Sequence, residues 1–179
     1  MAAFVSAGHH LRDSGAVAHG RQENQEMIKF RDSVVNFCKS LGVKVITDSD
    51  TETLSQYLLR IQSGSGSVVV EFHLDAAANE TATGMTAVVG DDADRLDKMF
   101  AKEMVDTGSA ILGIKNRGVI TESKTHRGKL GLMREQGIVA LIELGFITNK
   151  NDMAALDANT FNLASAFAKI IKKYDDMIQ

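Results

Sequence analysis

Apolar and polar residues follow two alternating periods along the chain. Short apolar runs at Ala3–Ala7, 43–47, 68–74, Met85–Val89 and 138–144 predict strands. Between them, Met27, Phe30, Val34, Phe37, Cys38 and Leu41 recur at helical spacing and predict a helix over about residues 22–41. Asp50 or Thr51 can cap a second helix carrying Leu54, Tyr57, Leu58 and Ile61. A third helix is expected over 93–108 and a closing one over 161–178. Residues 68–74 form the clearest buried strand, with Met85–Val89 expected as its neighbour. The alternation predicts an α/β fold, a three-layer sandwich with a mainly parallel central sheet flanked by helices. A length of 179 residues suits a single domain, 1–179, with a core of its own.

Composition narrows the function classes. The net charge of −3 argues against broad electrostatic attachment to nucleic acid or anionic membrane. The exception is residues 115–134, where Lys115, Arg117, Lys124, Arg127, Lys129 and Arg134 face only Glu122, a local balance of +5. Such a segment is either a solvated basic turn or a local attractor of an anionic ligand. The one cysteine, Cys38, excludes an internal disulfide. No uncharged apolar run approaches the roughly 20 residues that span a bilayer, and Met1 leads directly into an apolar strand rather than into the zones of a signal peptide.

Active sites of open α/β sheets gather beyond the carboxyl ends of the strands. His9 follows the first strand, His73 lies near the end of 68–74, and Glu143 lies near the end of 138–144; Glu23 opens the first long helix. Two histidines and a carboxylate are a standard zinc set, and a further carboxylate can accept a proton from water for amide hydrolysis. Spacing alone is a weak signal here. His9 and His10 can be a plain loop pair, His73 a hydrogen-bonded core histidine, and Glu23 beside Glu26 ordinary helix-dipole chemistry. Glu143 is harder to dismiss, because a carboxylate inside an apolar strand is costly to bury without a partner.

Four ordered blocks then carry a family resemblance. They are Ser6-Ala7-Gly8-His9-His10-Leu11-Arg12-Asp13-Ser14-Gly15-Ala16, Gly20-Arg21-Gln22-Glu23, Val70-Glu71-Phe72-His73-Leu74-Asp75-Ala76 and Val139-Ala140-Leu141-Ile142-Glu143-Leu144-Gly145-Phe146-Ile147-Thr148-Asn149. In this order they resemble the zinc-dependent N-acetylmuramoyl-L-alanine amidases of bacterial wall remodelling and phage endolysins. The resemblance implies one zinc ion per chain, held by His9, Glu23 and His73, with Glu143 as catalytic general acid/base. It prefers Glu23 over Glu26 as ligand. It implies a peptidoglycan substrate cut between the muramoyl lactyl group and L-alanine, and a cleft at the strand carboxyl ends along one sheet edge. Stem peptides carry carboxylates, so Arg117 or Arg134 is expected to bind one of them in a bidentate pair.

The chain departs from the family pattern in places. His10 and Leu11 replace glycines, and Glu71 stands where a small polar residue is common. Glu71 shares a strand face with His73, as an orienter, a substrate contact or a solvated carboxylate. There is no proline where about nine would be typical; Ser14 and Lys150 occupy two places where the family often has one. Other readings are a non-catalytic wall-binding module and a zinc peptidase acting within the stem. The expected setting is synthesis in the bacterial cytoplasm without a signal peptide and action on the wall after release by a phage holin, with no membrane insertion and no nucleic-acid partner.

Overall fold

The computed structural model describes residues 2–178. In chain order the elements are β1 (Ala3–Ala7), β2 (Val17–Ala18), β3 (Arg21–Gln22), α1 (Glu23–Ser40), β4 (Val45–Thr47), α2 (Leu54–Arg60), β5 (Val68–Asp75), β6 (Met85–Val89), α3 (Arg95–Leu112), β7 (Asn116–Thr121), β8 (Ile138–Phe146) and α4 (Lys150–Ile178). Six strands form one sheet in the order β4-β1-β5-β8-β6-β7, and β2 pairs with β3 as a small ribbon. All neighbours in the large sheet are parallel except β6 with β8.

Strand alternation divides the residues between two unequal faces. Val5, Val70, Phe72, Ala140 and Ile142 point into the larger core, where α1, α3 and α4 contribute Phe30, Met104 and Phe167. Phe72 there sits at the centre of an aromatic cluster, 5.0 Å from Phe30 and 5.8 Å from Phe167 between ring centroids. The opposite face is covered more thinly, by Tyr57 and Ile61 around α2 and by Leu132 and Met133 of a 3-10 turn, over Phe4, Val69 and Leu141. On that face, Ser6, Glu71, His73 and Glu143 approach the strand ends beyond the apolar cover.

Several expectations change. The mainly parallel sandwich stands, but β6 lies beside β8, so β8 separates it from β5. Thr53, not Asp50 or Thr51, caps α2, through a reciprocal box with Gln56. The basic segment is not all loop, since Asn116–Thr121 forms the edge strand β7. The last helix begins eleven residues before its expected start and runs for 29 residues. Its first turn is capped by Asn149, whose Oδ1 accepts from the Asn151 and Asp152 amides. Buried Asp152 in turn accepts from the Gly84 and Phe146 amides, tying α4 to the ends of two strands. These polar contacts fix where the helix starts, and its first turns already place Met153 and Leu156 in the core.

Candidate metal centre and cleft

The site is assembled from three strand ends and one helix start. Parallel pairing sets His73 of β5 directly beside Glu143 of β8. His9 follows β1 with φ of +66°, a left-handed conformation that turns its ring back over the sheet. Glu23 is the first residue of α1, where its charge is favoured by the helix dipole. Its side chain nonetheless folds inward, accepting from the amides of Ala16 and Leu74. Glu26 points elsewhere and pairs with Arg21 at 3.4 Å.

One ligand atom each from His9, Glu23 and His73 lies within 4.8 Å of the others. The cluster therefore sits at the ends of β1 and β5, inside the sheet and not at a lateral edge. His73 Nδ1 is 2.9 Å from Glu23 Oε1, and its Nε2 is 2.8 Å from Glu71 Oε1. His9 Nε2 stands 3.2 Å from Glu23 Oε2, while its Nδ1 contacts Asp13 Oδ2 at 2.8 Å.

Two glycines make this approach possible. A Cβ on Gly8 would lie 2.4 Å from the His73 ring. Gly15, at φ +63°, would place one 2.5 Å from His9 and 2.6 Å from Glu23. The prolineless loop between them is held by Asn24, which donates to the His10 carbonyl at 2.9 Å, and by Asp13, which accepts from the Gly15 amide at 3.1 Å.

The electrostatics follow from burial and these contacts. Burial works against a charged His73, yet Glu23 and Glu71 overcome it and raise the ring's pKa to about 10. The same histidines, against the opposing effect of burial, hold Glu23 well below the usual carboxylate range. Glu143 behaves differently. Burial, opposed by His73 and reinforced by Asp75 and Glu23, pushes its carboxyl up to about 7. Its Oε2 is enclosed and has no hydrogen-bond partner among the described residues.

The residues fit a divalent metal. His9 Nε2 is enclosed and, among the described residues, faces Glu23 Oε2 at 3.2 Å without making a hydrogen bond, the donor set is two imidazoles and a carboxylate, and the second nitrogen of each ring already has its own carboxylate.

A cavity of about 620 Å³ opens from this cluster and includes Glu23, His73, Thr86 and Glu143 in its lining. Its other walls carry Lys115, Arg117, Lys124, His126 and Arg127. Arg117 is exposed, with its guanidinium 5.1 Å from the Phe146 ring centroid. Lys129 is drawn off to Asp91 and Glu122, and Glu122 also accepts from the Leu130 amide, so the one acid of the basic segment shapes its loop. Arg134 lies outside the cavity lining and donates to the Leu130 carbonyl. Asp13 and Thr86 are site residues that the sequence does not single out, although Asp13 lies four residues after His9; Arg127 stood out only as one member of the basic segment.

The fold and site define an α/β sandwich with a metal-competent His-Glu-His cluster and a separate buried carboxyl beside it. Residues 4–173 match the model of the N-acetylmuramoyl-L-alanine amidase family Amidase_3, and the chain belongs to that family. It is 27% identical over 177 residues to the "Probable autolysin PH" of Staphylococcus aureus, with 87% of this chain aligned but only 35% of that relative's length. Its fold resembles an N-acetylmuramoyl-L-alanine amidase from Clostridium difficile 630, at 22% identity and a TM-score of 0.84, covering 98% of this chain and 96% of that one. It also resembles the catalytic domain of the CD27L endolysin targeting Clostridia difficile, at 18% identity and a TM-score of 0.75, covering 97% of each chain.

Proposed function

We propose that residues 1–179 are a zinc-dependent catalytic domain that hydrolyses the amide between N-acetylmuramic acid and L-alanine in peptidoglycan. The observation that carries this reading is the His9, Glu23 and His73 cluster, with ligand atoms within 4.8 Å of one another, beside Glu143, whose enclosed Oε2 has no hydrogen-bond partner among the described residues. His9 Nε2, His73 Nδ1 and a Glu23 oxygen would hold the zinc, which supplies Lewis-acid polarisation of the scissile carbonyl and a more acidic water.

Glu143 removes a proton from the attacking water as its oxygen bonds to the carbonyl carbon. It then passes that proton to the alanine nitrogen as the C–N bond breaks, leaving a lactyl carboxylate and a free amino terminus. Burial, which favours the protonated form of this carboxyl, helps it hold the proton between the two transfers. Arg117, with Lys115, Lys124 and Arg127 around the cavity, attracts the stem carboxylates, Arg117 by a bidentate pair. Arg134 contributes only to the surrounding positive field.

Mass spectrometry of purified muropeptides, with and without chelator, tests the reaction. New L-alanine amino termini paired with muramoyl lactate, lost with chelator and restored by zinc, are expected. Cleavage within the stem would instead indicate a zinc peptidase, and binding to sacculi without release a non-catalytic module. Glu143→Ala should retain zinc and lose turnover; full activity in that variant would sink the mechanism.

Within this reading the role is lytic, of the phage endolysin kind, with the wall reached through a holin lesion. The fold shared with an endolysin catalytic domain is consistent with it. Co-expression should lyse a bacterial host only when a holin is present, and lysis without one would count against it.

A further inference from the structure

We propose that Glu71, anchored by Ser6, is a positioning residue that fixes which nitrogen His73 offers to a metal. The inference rests on the zinc reading above and assigns a role to a residue outside the ligand set. Glu71 precedes His73 by two residues on β5, so both side chains rise from the same face. Its Oε1 lies 2.8 Å from His73 Nε2, and its Oε2 accepts from Ser6 Oγ at 3.1 Å. Ser6 is its register partner on β1. All three residues are buried, with 1% of Ser6, 3% of Glu71 and 6% of His73 exposed.

A buried carboxylate is retained only where its oxygens are satisfied, and Glu71 has a partner on each. Accepting a proton from Nε2 leaves Nδ1, which faces Glu23 and His9, as the nitrogen that gives up its proton to a metal. Asp13 does the converse for His9, taking up Nδ1 and freeing Nε2. The two rings thus present opposite nitrogens to one point. Asp13 is exposed whereas Glu71 is enclosed, so solvent screens the first contact and leaves the second strong.

The test uses zinc affinity by chelator competition on the full chain, together with imidazole nitrogen NMR of the zinc-loaded protein. Glu71→Ala should weaken zinc about 10–100-fold, the range for removing such an outer carboxylate. Glu71→Gln keeps an acceptor without the charge and should give a smaller loss, with the His73 Nε2–H resonance moved upfield. Should the alanine variant fail to fold, the glutamine variant decides. Wild-type affinity and an unmoved resonance in Glu71→Gln would overturn the proposal while leaving the zinc reading intact. Wild-type protein that binds no zinc would overturn both.

Discussion

Replacing Glu143 by glutamine should stabilise the metal-free protein at neutral and alkaline pH, although the same change removes the group proposed to move the proton. Glu143 is partly open as a residue, but its Oε2 is enclosed with no hydrogen-bond partner among the described residues, and burial is the main reason its carboxyl rises from 4.5 to about 7. At about 1.4 kcal/mol for each tenfold, ionising it in the folded state costs up to about 3 kcal/mol more than in the unfolded chain. The sign follows from proton binding. Between 4.5 and about 7 the folded state holds a proton that the unfolded state has released, so stability falls as pH rises through that window and no further above it.

Glutamine has the same shape and does not ionise. The stability difference between variant and parent should therefore be flat below pH 4.5 and grow by up to about 3 kcal/mol by about pH 8. For a domain of this size that is a melting-point gain of about 6–12 °C relative to the acid limit. Urea and thermal unfolding in excess chelator, repeated from acid to alkaline pH, measure the difference directly. Parallel stability curves for the two proteins at every pH would refute the reasoning, because they would mean that Glu143 ionises in the folded state as freely as in the unfolded one.

Other expectations concern the rest of the site. Gly15→Ala forces a methyl group to 2.5 Å from His9 and 2.6 Å from Glu23 at a φ of +63°; about 1–3 kcal/mol of stability should be lost, and zinc affinity with it, as unfolding and chelator competition would reveal. In the metal-free site His73 stays protonated up to about 10, so zinc must displace a proton. Because His9 is also held above its usual value, apparent affinity should drop at least about tenfold for each unit of pH lowered between about 6 and 8, and calorimetry in buffers of different ionisation enthalpy should register proton release. Pairing Arg117→Ala with Arg134→Ala separates cavity from periphery: the first should raise the KM for stem-containing fragments several-fold, the second should leave it near the parent value, and equal effects would remove Arg117 from the stem-binding role.

The candidate site was partly legible because its residues occur where local patterns end. His73 and Glu143 lie near the carboxyl ends of apolar strands and Glu23 at a helix start, positions that a one-dimensional pattern marks. Asp13 was not visible as a partner, and strand alternation put Glu71 beside His73 without choosing among orienter, substrate contact and solvated carboxylate, since these roles depend on ring orientations that spacing does not encode. The position of β6 was misread for a related reason: its pattern identifies a buried strand but not which buried strand lies beside it. The short apolar content of β7 hid that strand, and the start of α4 was missed although Met153 and Leu156 recur at helical spacing there. Edge pairing with β6 supports the first, and the Asn149 and Asp152 contacts support the second.

By itself the sequence determined the class of fold, the two-period alternation that lays one face of each central strand into the main core, and the ordered motifs that place the chain in its family. These follow from burial of apolar surface, which is written along the chain. Only the tertiary structure decided that Glu23 rather than Glu26 turns inward, that Arg117 borders the cavity and Arg134 does not, and that Glu71 grips His73. Those outcomes depend on which strand lies beside which and on the few ångströms between side chains far apart in sequence, where a hydrogen bond or a lost hydration shell determines the chemistry.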